Sequence, residues 1–223
     1  MKTLYISDLN QANLEKVCQL LKAGGIIAFP TETVYGLGVL LSQEKAIQKL
    51  FEIKKREANK AMTLHLGSLD QVELVAENIP KEFYLLAEHF MPGPLTVILP
   101  CKKDFSKKHF SNLDFSVISS QKGLPTVGVR IPSHPLFLKL SKILKEPIVG
   151  TSANLSLEPA LVSPQAVFDK FQGQIEALID GGECFLKKAS TVLSLVDTPL
   201  ILREGALKKT DIEAVLQKRL DFL

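Results

Sequence analysis

The feature that most constrains this chain is a repeated punctuation: short apolar runs that stop at polar, hydroxyl-rich segments. Ile26-Ile27-Ala28-Phe29 ends at Pro30-Thr31-Glu32-Thr33-Val34-Tyr35-Gly36-Leu37-Gly38. Pro147-Ile148-Val149 likewise runs into Gly150-Thr151-Ser152-Ala153-Asn154-Leu155-Ser156. Short apolar runs bounded by Pro and Gly are the pattern of buried strands. Between them lie stretches with helical spacing: over 9–23, Leu9, Ala12, Val17, Leu20 and Leu21 share a face before Gly24-Gly25 stops the pattern. Alternation of the two patterns predicts an α/β fold.

The same reading places strands over 62–66, 95–99, 127–131, 147–150, 177–179, 191–196 and 200–202. Helices are expected over 68–76, over 81–90, and from Ser133-His134-Pro135 to 144. A further helix follows Ser42, the expected N-cap, with Ala46, Ile47, Leu50 and Phe51 on one face. Residues 30–38 and 151–162 read as loops, and Thr210-x-x-Glu213 as the capping box of a last helix over 210–220. The adjacent late strands argue for a mixed parallel and antiparallel sheet. No internal repeat or low-complexity linker divides the chain. One domain over 1–223 is expected, with its core over 8–206. Residues 101–125, rich in Lys and Ser, carry the least pattern and read as a mobile surface excursion.

Composition excludes several classes. With 46% hydrophobic and 23% charged residues the chain can bury a real core. No apolar run approaches the roughly 18 residues that a membrane span needs, and Met1-Lys2-Thr3-Leu4-Tyr5 lacks a signal pattern, so a cytoplasmic protein is expected. Cys18, Cys101 and Cys184 are widely spaced, and His65, His89, His109 and His134 are scattered, so neither a disulfide framework nor a protein-held metal is expected. The net charge of +3 fits an anionic small substrate without arguing for nucleic acid.

Common nucleotide signatures are absent: there is no Gly-x-x-x-x-Gly-Lys-Ser/Thr loop and no Gly-x-Gly-x-x-Gly after a strand. Five polar segments are the alternatives, four of them at predicted strand ends, where ligands bind in open α/β sheets. Residues 30–38 offer two hydroxyls, a carboxylate and a phenol to an amino acid, or form a turn with capping threonines. Lys54-Lys55-Arg56, with Lys60 and His65 downstream, suits polyphosphate or is a solvated helix end with a core histidine. Thr126-Val127-Gly128-Val129-Arg130 offers a carboxylate-pairing arginine or an edge ion pair. Gly150-Thr151-Ser152-Ala153-Asn154 can cradle phosphate or ribose, or be an Asx turn. Ser190-Thr191 and Arg203-Glu204-Gly205 complete the set.

Together, and in this order, the motifs resemble the YrdC-like threonylcarbamoyl-AMP synthase family. The resemblance is carried by residues 30–38, Lys54-x-Arg56, Met91-Pro92-Gly93-Pro94-Leu95-Thr96, Gly128-Val129-Arg130-Ile131-Pro132, Ser152-Ala153-Asn154-x-Ser156, Asp180-Gly181-Gly182, Ser190-Thr191 and Arg203-x-Gly205-Ala206. It implies the short, single-domain form, with a twisted, mixed sheet around a large concave cavity. It implies an enzyme, a nucleotidyltransferase, that makes threonylcarbamoyl-AMP and pyrophosphate from L-threonine, bicarbonate and ATP, with Mg2+ carried by the ATP. The product would serve threonylcarbamoyladenosine modification of tRNA, so tRNA or a tRNA-modifying transferase complex is an implied partner. By the same resemblance Lys54 and Arg56 are the catalytic cations. Thr33, His65, Arg130 and Ser190 are threonine contacts, and Arg56, Lys60, Thr126, Ser152, Asn154 and Arg203 are ATP contacts. Glu57, Ala61, Leu157, Lys187 and Ala189 depart from the family pattern. The competing readings are a paralogue with altered substrate use and an RNA-binding module. The low aromatic content, 7% with no tryptophan, weighs against the second.

Overall fold

The computed structural model describes residues 2–55, 61–105, 118–121 and 123–223. In chain order its elements are β1 (Leu4–Ile6), α1 (Gln11–Lys22), β2 (Ile27–Phe29), β3 (Gly36–Leu40), α2 (Glu44–Lys54) and β4 (Thr63–His65). There follow a 3-10 turn (Leu69–Gln71), α3 (Val72–Val75), α4 (Lys81–Phe90), β5 (Leu95–Pro100), β6 (Ile118–Gln121), β7 (Leu124–Arg130), α5 (Pro135–Leu144) and β8 (Ile148–Ser152). The last are α6 (Pro164–Phe171), β9 (Ala177–Ile179), β10 (Thr191–Ser194), β11 (Leu200–Arg203), α7 (Lys209–Leu216) and β12 (Asp221–Phe222). The strands form one sheet in the order β1-β9-β2-β3-β8-β4-β7-β5-β10-β11-β12, with β6 beside β7. Parallel pairs such as β4 with β7 adjoin antiparallel ones such as β3 with β8, so the sheet is mixed, as expected.

Side chains alternate across a strand, and here the two faces meet different fates. One face carries Leu37 and Val39, Val149, Leu64, Val127 and Val129, Val97 and Leu99, and Leu193, all buried in the larger core. That face is covered by Ile47, Leu50 and Phe51 of α2, Phe83 and Leu86 of α4, Val167 and Phe171 of α6, and Ile212 of α7. On the other face α1 and α5 cover only one end. There Leu14, Val17, Leu21, Phe137 and Leu140 bury Ile27, Phe29, Leu40, Ile148, Ala177 and Ile179. The remainder of that face carries small or polar residues, and it is where the site lies.

Local chemistry sets several boundaries. Asn10 caps α1 by accepting the Asn13 N–H at 3.0 Å, and Gly24, at φ 83°, turns the chain out of it. His134 caps α5, its Nδ1 accepting the Leu136 N–H at 3.3 Å. Two expected caps are corrected. Ser42 does not cap α2: its N–H is taken by Glu146 Oε1 at 2.6 Å, and Gln43 holds the cap position. The Thr210/Glu213 box does not form either. Glu204 accepts the Lys209 N–H at 3.0 Å, while Glu213 accepts the Leu220 N–H at 2.7 Å. The expected loops also shorten, because β3 starts at Gly36 and β8 runs to Ser152. β1, β12 and α6 were not anticipated. Of the expected excursion over 101–125, residues 106–117 and 122 lie outside the described residues, and 118–121 pair with β7 as β6.

Phe29 pairs with Gly36 and Ile27 with Gly38. A Cβ at Gly36 would stand 2.6 Å from the Phe29 ring, and one at Gly38 would stand 2.5 Å from Ile148 and 2.7 Å from that ring. The glycines are there to admit the ring. Gly36→Ala is expected to destabilise the fold by about 1–3 kcal/mol through overpacking, read as a lower urea midpoint. Adding Phe29→Leu should recover part of the loss, as coupled neighbours do.

Candidate active site

The uncovered half of the sheet face encloses a cavity of about 250 Å³. Its wall takes Thr63 and His65 from β4, Thr126, Gly128 and Arg130 from β7, Thr96 and Ile98 from β5, and Gly150 and Ser152 from β8. Ser190 and Arg203 stand on the far side. The two-residue spacing within each strand puts these side chains on one face, opposite the valines and leucines of the core.

Arg130 ends β7 opposite His65 and is 5% exposed. Its Nη2 donates to Glu32 Oε1 at 2.7 Å and to Thr33 Oγ1 at 2.8 Å, and its Nε donates to the Gly93 carbonyl at 3.3 Å. Nη1 has no partner among the described residues. The threonines behind it form a directed chain. Thr31 gives its one hydroxyl proton to the Val34 carbonyl at 2.6 Å, so Thr33 donates to Thr31 across 2.8 Å and keeps a lone pair for Arg130. Thr33 therefore stands behind Arg130 and forms no part of the cavity wall.

His65 is buried, its ring edge-on to Phe29 at 5.4 Å and to Phe137 at 6.0 Å. Burial, and after it the charge of Arg130, hold its imidazole far below the usual range, at about 3. Its Nδ1 and the Thr126 Oγ1 are buried polar atoms without a hydrogen-bond partner among the described residues, and both residues line the cavity. Orphaned polar groups in a cavity wall are what a ligand's own polar groups complete. The shift also sets a pH dependence. The unfolded chain takes a proton on His65 near pH 6.5, whereas the folded chain resists it until about 3. Stability from neutral His65 is thus present above 6.5 and lost as pH falls, by up to about 1.4 kcal/mol per pH unit. Urea midpoints measured below pH 6.5 should fall less steeply for His65→Phe than for the parent.

On β5, the strand next to Arg130's β7, Thr96 Oγ1 shares a hydrogen bond with Ser190 Oγ at 2.8 Å. Arg203 donates to the Ser190 carbonyl from Nη2 at 2.9 Å and from Nε at 3.3 Å. Gly205 fits under this turn because a Cβ there would stand 2.1 Å from the Ala189 carbonyl oxygen. Arg203 is exposed at the rim. Partial desolvation, then the charge of Arg130, lower its pKa from the usual arginine value, yet an arginine stays charged.

Lys54 departs from expectation. It is 1% exposed, and its ammonium donates to the Ser152 and Asn154 carbonyls and, at 2.7 Å, to Asn154 Oδ1. Three donors meet three oxygens, so Lys54 points into the Ser152–Asn154 turn and does not line the cavity. Asn154 is engaged in the same way: Oδ1 also accepts Ser152 Oγ at 2.6 Å, and Nδ2 donates to the Glu158 carbonyl at 2.7 Å. Of the expected residues, His65, Arg130, Ser190, Thr126, Ser152 and Arg203 share one cavity wall. Thr33, Lys54 and Asn154 hold those residues from behind, and Arg56 and Lys60 lie outside the described residues. Glu32, the carboxylate that residues 30–38 offer to an amino acid, pairs instead with Arg130, and sequence reasoning passes over Thr96 as a site residue. The alternation of Thr96 with buried Leu95 and Val97 was the available signal for it.

Residues 19–205 match the model of the Sua5/YciO/YrdC family, described as telomere recombination. A threonylcarbamoyl-AMP synthase of Pyrococcus abyssi is 41% identical over 197 residues, covering 88% of this chain and 55% of that protein. One of Bacillus subtilis is 36% identical over 208 residues, covering 93% of this chain and 57% of that protein. The chain thus spans little more than half the length of these relatives. Among solved structures, P. abyssi Sua5 complexed with L-threonine has a TM-score of 0.86 and 35% identity, over 99% of this chain and 62% of that one. Escherichia coli YciO has a TM-score of 0.77 and 25% identity, over 92% and 95% respectively. The family model, the sequence relatives and the structural likeness agree on one assignment: the chain belongs to the Sua5/YciO/YrdC family.

Proposed function

We propose that the cavity binds L-threonine at its Arg130 end and ATP along its Ser152–Arg203 rim, and that the chain joins L-threonine, bicarbonate and AMP into threonylcarbamoyl-AMP. The observation that carries this reading is one cavity with an arginine fork at one end, a second fixed arginine at the other, and orphaned polar atoms between them. The P. abyssi relative with L-threonine bound supports the choice of amino acid. In this reading Arg130, His65 and Ser190 contact threonine, with Thr33 aligning Arg130. Thr126, Ser152 and Arg203, together with Arg56 and Lys60, receive the nucleotide, while Lys54 and Asn154 hold Ser152 in place. Magnesium arrives as part of the nucleotide.

The threonine amine adds to bicarbonate with loss of water, giving a carbamate. A carbamate oxygen then bonds to the α-phosphorus as the bond to pyrophosphate breaks. Negative charge builds on the α-phosphate and on the leaving pyrophosphate, so fixed cations there lower the barrier. Holding both reactants in one cavity supplies the alignment. No side-chain nucleophile is needed. The adenylate is a reactive intermediate suited to transfer onto a tRNA adenosine by a partner enzyme. The test is pyrophosphate release from ATP with threonine and bicarbonate omitted in turn. Release should require both, and release indifferent to either contradicts the reading.

A further inference from the structure

Glu32 has no part in the chemistry just described, yet both of its carboxylate oxygens are engaged at the threonine end. Oε1 accepts Arg130 Nη2 at 2.7 Å, and Oε2 accepts the Ser133 N–H at 2.9 Å. Its main-chain carbonyl accepts the Leu186 N–H at 2.8 Å. Glu32 therefore ties the segment after β2 to the exit of β7 and to the stretch preceding β10. The Arg130 and Glu32 side chains are only 5% and 13% exposed, so the pair is weakly screened by water.

A guanidinium and a carboxylate in contact cancel at a distance, while the guanidinium keeps its directional N–H groups. Glu32 therefore offsets part of the Arg130 charge, and Arg130 presents its hydrogen bonds with a weaker field than an unpaired guanidinium would, one that still acts on His65 and Arg203. Arg203 differs: its guanidinium meets the Ser190 carbonyl and has no carboxylate partner among the described residues. The two arginines of one cavity thus present different fields. A zwitterionic amino acid needs hydrogen bonds for its carboxylate but is neutral overall. A polyphosphate is drawn to net positive potential.

We propose that Glu32 is a positioning and specificity-determining residue that sorts the two substrates by charge. Held by Glu32 and offset by it, Arg130 takes the carboxylate of a neutral amino acid and does not draw polyphosphate into the threonine end. Specificity of this kind works by penalising the wrong ligand as much as by favouring the right one. The inference rests on the reading of the Arg130 end as the threonine end.

The test is titration calorimetry of L-threonine into the purified chain, with and without inorganic pyrophosphate. For the parent, threonine should bind with an affinity that pyrophosphate changes by less than about twofold. For Glu32→Gln, threonine should bind on the order of tenfold more weakly, and its apparent Kd should now climb in proportion to pyrophosphate. A residue that merely supported the fold would weaken threonine binding without admitting pyrophosphate as a competitor. Glu32→Asp keeps the charge and shifts the geometry, so it should weaken threonine binding while still excluding pyrophosphate. It decides the matter if the glutamine variant does not fold, since unchanged threonine affinity or new pyrophosphate competition in it overturns the proposal. Pyrophosphate competition already present in the parent, or exclusion retained in Glu32→Gln, overturns it as well. If the parent binds no L-threonine, the reading of the site itself fails, an outcome distinct from the others.

Discussion

Replacing Lys54 with methionine is expected to destabilise the chain by about 3 kcal/mol or more, and to disorder the nucleotide side of the cavity. Methionine keeps the apolar stem and nearly the volume, so the substitution isolates the ammonium. What is lost is the cation that gathers the Ser152 and Asn154 carbonyls and Asn154 Oδ1 in a buried site. Those oxygens would face one another without a donor. The Lys54 carbonyl also accepts both Ser156 N–H and Ser156 Oγ at 3.0 Å, so the turn is fastened from main chain and side chain alike. Urea denaturation should show the lower midpoint. ATP binding should weaken while L-threonine binding at the far end changes little. Wild-type stability in Lys54→Met would mean that the ammonium is not the fastener.

The second large effect is expected at Arg130. Arg130→Lys keeps a positive charge beside Glu32, so the fold should survive, but it replaces a planar fork with a point donor. An ammonium cannot reach Glu32, Thr33 Oγ1 and the Gly93 carbonyl together while presenting a further N–H to the cavity. The expected result is a fall of about a hundredfold in kcat/KM for threonine, with the affinity for ATP nearly unchanged. Steady-state kinetics with each substrate varied in turn separates the two. A parallel loss for ATP would contradict the division of the cavity into two ends.

Much of this was legible from residues alone, and the failures share a cause. β2, β5 and β8 were recognisable because apolar residues dominate them locally. β3 was read as loop because Gly36 and Gly38 carry no side chain on one face, and the reason they are glycines is a ring supplied by β2. β1 finds its partner in β9, 173 positions away, and its three residues carry little signal of their own. Of the two failed caps, α2 has Gln43 at its cap position, one residue after Ser42, and at the start of α7 a carboxylate from outside the helix, Glu204, takes the Lys209 N–H. At the site, motif order pointed to residues that share one cavity wall, since His65, Thr126, Arg130, Ser152, Ser190 and Arg203 all lie there. It did not reveal depth. That Lys54 turns inward to the Ser152–Asn154 oxygens and that Thr33 stands behind Arg130 follow from long-range hydrogen bonds that no spacing encodes. The pairing of Glu32 was not legible because its partners, Arg130 and Ser133, are about a hundred positions away.

One cavity that assembles three reactants into a single adenylate must place the carbon of bicarbonate in a nucleotide product. The chain would be incubated with ATP, L-threonine and carbon-labelled bicarbonate, and the nucleotide products identified by mass spectrometry. The expected product forms only with threonine, has the mass of AMP joined to N-carboxy-threonine through a carbamate oxygen, and carries one labelled carbon. AMP or ADP formed without label incorporation, or a labelled adenylate that forms equally well without threonine, would contradict it.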